Sequence, residues 1–144
     1  MRNQVLSIEQ MQHLQELGVD TSKASCYWWY AEGRDYLYWG KCSDANGIPT
    51  FNLQDMLEMM PKKILIEMEN DFCRSVEAFF LEASLNICND NWQCGYIHFS
   101  KREDCIDFKY ENTDLLTCTY ETLCWLAKNN YIGGNNGNDK TLRL

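Results

Sequence analysis

The chain has two prolines in 144 residues, and 45% of it is hydrophobic, a balance that excludes disorder along its whole length. Histidine is equally scarce: only His13 and His98 occur, and none of the eight cysteines forms a C-x-x-C pair. A zinc site would therefore have to gather ligands from scattered positions. No stretch approaches the roughly 20 apolar residues that span a bilayer, and Met1 to Gln10 lacks the apolar run of a signal peptide. The cytoplasm is the expected location, no membrane partner is expected, and the cysteines at 26, 42, 73, 88, 94, 105, 118 and 124 read as free thiols. Basic residues number 13 against 21 acidic ones, a net charge of -8, which excludes electrostatic capture of nucleic acid phosphates. The carboxylates are spread along the chain from Glu9 onward, so they offer no concentrated face for mimicry of a nucleic acid. Also missing are a nucleophile elbow, a kinase motif set and paired catalytic carboxylates. The glycine pattern "GGNNG" follows a helix instead of opening one, the wrong setting for a phosphate cradle. No cofactor or metal is expected, and an enzyme is disfavoured.

What is present suffices for one domain, since a chain of this length buries roughly two-thirds of its unfolded surface without metals or disulfides. In "LSIEQMQHLQELGVD" Ser7 is the expected N-cap, Gln10 completes a capping box, and Leu6 staples onto Met11. Ile8, Met11, Leu14 and Leu17 line one side, and Gly18 closes the helix. "FNLQDMLEMMP" repeats the logic. Asn52 caps, Asp55 takes the third position, Phe51 staples onto Met56, and Pro61 ends the helix. Its methionines read as core more readily than as an adaptable groove. The segment before it, from about Ser43 to Pro49, reads as a loop. "KKILIEM" predicts a strand. Residues 76–88 fit both periods, but alternation covers more positions, so a strand is expected, turning at "NDN" into "WQCGYIHF". "CIDFKY" predicts one more strand after the turn "SKRED". A largely buried helix from about Asp114 to Lys128 follows, capped by Thr113 or Asn112.

The densest feature is "CYWWYAEGRDYLYW", residues 26–39, where Tyr27, Trp28, Trp29, Tyr30, Tyr36, Tyr38 and Trp39 flank the turn-forming "AEGRD". This is the pattern of a β-hairpin. Alternation puts Tyr27 and Trp29 on one side and Trp28 and Tyr30 on the other. The rings serve either as cross-strand pairs and core or as an exposed aromatic patch. The candidate binding residues are Trp28, Tyr30, Tyr36, Tyr38 and Trp39.

Three other groups invite a chemical reading. Cys124 sits at the polar edge of the last helix, but a reactive thiol needs a nearby base or cation, and neither histidine is close in sequence. In "EMEND", Glu67, Glu69 and Asp71 alternate and would project together toward a hard cation, although no cation-binding loop surrounds them. His98 is an isolated histidine near Tyr96 and reads as structural.

Three segments, "LSIEQMQHLQELGVDTSKAS", "LQDMLEMMPK" and "YETLCWLAKNNYI", resemble those of small uncharacterised proteins carried by gut bacteria and their phages or prophages. The resemblance implies a mobile-element context and carries over no activity and no site residues.

The expected fold is α+β: an antiparallel sheet of about five strands packed against two main helices, plus one short helix. Residues 1–132 form the domain and 133–144 a flexible tail. The function read from these features is non-catalytic recognition of a host protein or of a second copy through an aromatic surface. The alternative is a small-molecule or nucleotide binder, or a minor enzyme, that stacks a ligand on the hairpin.

Overall fold

A computed structural model describes residues 4–41, 46–69, 71–98, 108–132 and 141–143. Its three helices are α1 (Ile8–Glu16), α2 (Leu53–Met59) and α3 (Leu115–Lys128). The strands are β1 (Cys26–Ala31), β2 (Arg34–Trp39), β3 (Ile48–Thr50), β4 (Lys63–Glu69), β5 (Arg74–Asn86), β6 (Asn91–Ile97), β7 (Phe108–Asn112) and β8 (Thr141–Arg143). The class is α+β.

The single sheet expected from the sequence is in fact two. Strands β4 to β7 form an antiparallel run in the order β7-β6-β5-β4, and the short β8 adds parallel to β4 at its edge. The aromatic hairpin β1–β2 does not join this run; it forms a separate three-stranded sheet in the order β2-β1-β3. Strand β3 lies in the segment expected to be a loop. It is only three residues long and contains Pro49, so it carries no local strand signal and exists because β1 offers it a ladder. Residues 74–86 are one long strand, as alternation predicts. Of the tail 133–144, residues 133–140 and 144 lie outside the described residues, as does the expected "SKRED" turn.

Local chemistry accounts for the helices. The Ser7 hydroxyl accepts from the Gln10 N–H at 3.1 Å while the Gln10 side chain accepts from the Ser7 N–H at 2.9 Å, completing the capping box. Asn52 and Asp55 do the same for α2. At α3 the cap differs from expectation. Asp114 itself is the N-cap, accepting from the Leu116 N–H at 3.1 Å, whereas Asn112 accepts from the Asp114 N–H one turn earlier.

The core lies between the main sheet and its helices. Ile64, Ile66, Phe79, Cys94 and Tyr96 of β4, β5 and β6 join one cluster with Met56 of α2, Met60 at its C-cap, and Cys118, Leu123 and Leu126 of α3. Met11 and Leu14 of α1 join this cluster, as does Phe51 from just before α2. Buried polar groups are tied in: the Tyr96 hydroxyl donates to the Pro61 carbonyl at 2.6 Å, and that of Tyr131 to the Leu65 carbonyl at 3.2 Å. The methionines of α2 are therefore core. No helix among the described residues is long and apolar enough to cross a membrane.

Candidate functional site

Which faces the hairpin presents follows from its register. Tyr27 pairs with Tyr38, Trp29 with Tyr36 and Ala31 with Arg34, so these six side chains share one face of the small sheet. Cys26 with Trp39, Trp28 with Leu37 and Tyr30 with Asp35 share the other. The two-residue turn at Glu32 and Gly33 has positive φ at both positions, 52° and 81°, the twist that lets such a tight hairpin close.

The second face is the inward one at its base. Cys26 and Thr50 are buried, the Thr50 hydroxyl donates to the Leu6 carbonyl at 2.7 Å, and the Trp28 indole N–H donates to the same carbonyl at 3.0 Å. Trp28 is thus an anchor to the start of α1. Toward the turn this face leaves Tyr30 68% exposed, and on the outer strand β2 Trp39, beside buried Cys26, is 63% exposed.

The opposite face carries Tyr27, Trp29, Tyr36 and Tyr38. The rings of Tyr27 and Tyr38 stack with centroids 5.5 Å apart and planes 17° apart. Arg34 lies over the Tyr36 ring, 4.8 Å from its centroid, and donates to the Tyr36 hydroxyl at 2.6 Å. None of these rings belongs to the core cluster or to the half-buried residues packed on it. The aromatics are cross-strand pairs without being core. Of the sequence candidates, Tyr36 and Tyr38 share this face, whereas Trp28, Tyr30 and Trp39 lie on the other. Tyr27 and Trp29, absent from the candidate set, complete it; their alternation with Trp28 was the available signal.

Backbone polarity of the small sheet follows from a single bond. The Gly40 N–H donates to the Ser25 carbonyl at 2.7 Å, making that a hydrogen-bonded pair. Such pairs alternate along an antiparallel ladder. Residues 27, 29 and 31 therefore exchange bonds with 38, 36 and 34, while Asp35, Leu37 and Trp39 direct their N–H and C=O groups away from β1. On the far side of β1, Pro49 faces Tyr27, a position where the β3 backbone points outward, so the proline costs the ladder nothing. Among the described residues, no strand pairs with the outer side of β2.

The remaining candidates fall into structural roles. A cavity of about 230 Å³ is lined by His13, Tyr110, Tyr120, Glu121, Cys124, Trp125 and Lys128, so folding does bring a histidine toward Cys124 that sequence separation hid. Burial nevertheless pushes the Cys124 thiol up, outweighing the lowering effects of the Tyr120 hydroxyl and the Lys128 charge. Arg74 lies 3.4 Å from both Glu67 and Glu69, which turns the acidic run into an ion-pair cluster. His98 Nε2 lies 3.0 Å from Glu77 Oε2, with its ring against Phe79 at 5.2 Å. Among the described residues, no group of three or more His, Cys, Asp or Glu side chains is placed to hold a metal ion. A second cavity, about 410 Å³, runs along α2 between Leu53, Leu57, Met60 and Lys62, away from the hairpin. Compared with known protein families, curated proteins and solved structures, the chain matches none.

Proposed function

We propose that this protein is a non-catalytic interaction protein that binds another protein, from a host or a second copy, through the aromatic face of its three-stranded sheet. The observation that carries the reading is the placement of Tyr27, Trp29, Tyr36 and Tyr38 on one sheet face outside the hydrophobic core. Rigid aromatic side chains supply large contact area at small entropic cost, which is why Tyr and Trp concentrate where proteins meet. The resemblance of three segments to small proteins of gut bacteria and their phages or prophages implies a mobile-element context. Ring-stacking of a nucleotide is the weaker alternative. Tyr27 and Tyr38 already stack on each other, Arg34 is engaged with Tyr36, and the cavities beside Cys124 and along α2 both lie away from this face.

The test is retention of proteins from a gut-bacterial lysate on the immobilised chain, followed by calorimetry with each purified candidate. The paired variant Tyr36→Ala with Tyr38→Ala should weaken binding by at least about tenfold, the loss of one or two interface anchors. Equal affinity of wild type and variant for every captured protein refutes the proposal.

A further inference from the structure

We propose that β2 pairs antiparallel with β2 of a second copy of this chain, in the register centred on Leu37, to make one continuous sheet from two three-stranded halves. This rests on the hairpin being a recognition surface and names its partner.

The two edges of the small sheet are built differently. Strand β3 is three residues long and carries Pro49, two of the devices that protect an edge from pairing. Strand β2 ends in "YLYW", with no proline or lysine in the strand and an unbroken register to β1. Its outward backbone groups belong to Asp35, Leu37 and Trp39. An antiparallel copy can bond only where outward residues meet outward residues. The register that uses the whole strand sets Leu37 against Leu37, and Asp35 of each copy against Trp39 of the other, with about six main-chain hydrogen bonds.

The side chains fit the same register. Tyr36 falls opposite Tyr38 of the second copy. Each existing pair then extends into a row of four rings across the interface: Trp29, Tyr36, then Tyr38 and Tyr27 of the second copy. Two-fold symmetry supplies the row twice. Cross-strand aromatic neighbours are the pairs that stabilise sheets most directly, and the Tyr27–Tyr38 stack has this arrangement within one chain. No like charges face each other. The Lys41 end of each strand comes beside the Glu32–Asp35 end of its mate, which moderates the repulsion between two chains of net charge -8. Edge pairing buries less than a standard interface, so the dimer is weak, with a dissociation constant in the micromolar range.

Sedimentation of the full chain over a concentration series tests this. Wild type should show a monomer–dimer equilibrium. Leu37→Lys, which opposes two ammonium groups across the two-fold axis without touching the backbone, should raise the dissociation constant at least about tenfold. Leu37→Pro removes an N–H that faces outward and should do the same. If the proline variant unfolds, as judged by circular dichroism, the lysine variant alone decides. A wild type that stays monomeric throughout, or a dimer that a folded Leu37 variant leaves unchanged, overturns the proposal. In either case, loss of another protein's binding on Tyr36→Ala with Tyr38→Ala would leave the broader recognition reading standing, so the two failures are distinguishable.

Discussion

Asp55 accepts hydrogen bonds from both the backbone N–H and the hydroxyl of Ser25, at 2.9 and 2.5 Å. One carboxylate in the first turn of α2 thereby fixes the residue that precedes β1, and it also accepts from the Asn52 N–H at 3.2 Å. This joint sets where the small sheet leaves the body. Asp55→Ala removes the acceptor shared by three donors at a part-buried joint and should cost about 1–2 kcal/mol in urea unfolding. Asp55→Asn, which keeps an acceptor oxygen, should cost less. Equal stability of Asp55→Ala and wild type would show that the joint carries no energy.

A second prediction concerns Thr119, whose Oγ1 is buried without a hydrogen-bond partner among the described residues. The Cys94 thiol lies beside it, and sulfur is a weak acceptor that compensates little of the hydroxyl's lost hydration. Replacing the hydroxyl by a methyl of similar shape removes an uncompensated desolvation. Thr119→Val should therefore raise stability by up to about 1 kcal/mol, whereas Thr122→Val should lower it. The Thr122 hydroxyl is engaged, lying 3.0 Å from the Cys94 carbonyl and 2.9 Å from that of Cys118.

Thiols and phenols in the core give a pH prediction. Burial raises the pKa of Cys26, Cys94, Cys124, Tyr96, Tyr110 and Tyr120, and pushes Cys118 up to about 11. Each group is neutral in the fold at a pH where the unfolded chain ionises. Above the unfolded values the unfolded state binds fewer protons, so stability is complete at neutral pH and falls as pH rises from about 9. The melting temperature should be flat near pH 7 and drop in alkali. In the native state at pH 8 the exposed Cys73 and Cys88 should react with a thiol reagent, and the four buried thiols only after unfolding.

Much of the local structure was legible in the sequence because its causes are local. Ser7 with Gln10 and Asn52 with Asp55 mark helix starts within four residues, and Glu32–Gly33 marks its hairpin. What was hidden depends on distant partners. Three residues around Pro49 become a strand only because β1 needs a neighbour. Nothing within 26–39 says that the hairpin forms its own sheet; that depends on the Leu6 carbonyl, which receives Trp28 and Thr50 from far along the chain. The binding candidates were half-sorted for the same reason. Period-two alternation separates Tyr36 from Trp39, but only the tie to Leu6 tells which face turns inward.

The turn gives a further check. Gly33 has φ of 81°, where a β-branched side chain is strained, so Gly33→Val should destabilise the hairpin by about 1–2 kcal/mol. Nothing lies within 4 Å of the added Cβ, so the effect is backbone strain and not a clash. A retained Trp fluorescence spectrum and an unchanged melting temperature would contradict the turn geometry.

Amide hydrogen exchange resolved along β2, at two protein concentrations about a hundredfold apart, tests the central claim most directly. Tyr36 and Tyr38, bonded to β1, should be protected at both concentrations. Asp35, Leu37 and Trp39 should exchange freely in dilute protein and become protected in concentrated protein. Outward amides that exchange equally fast at both concentrations, or that are already protected in the dilute sample, would contradict the account.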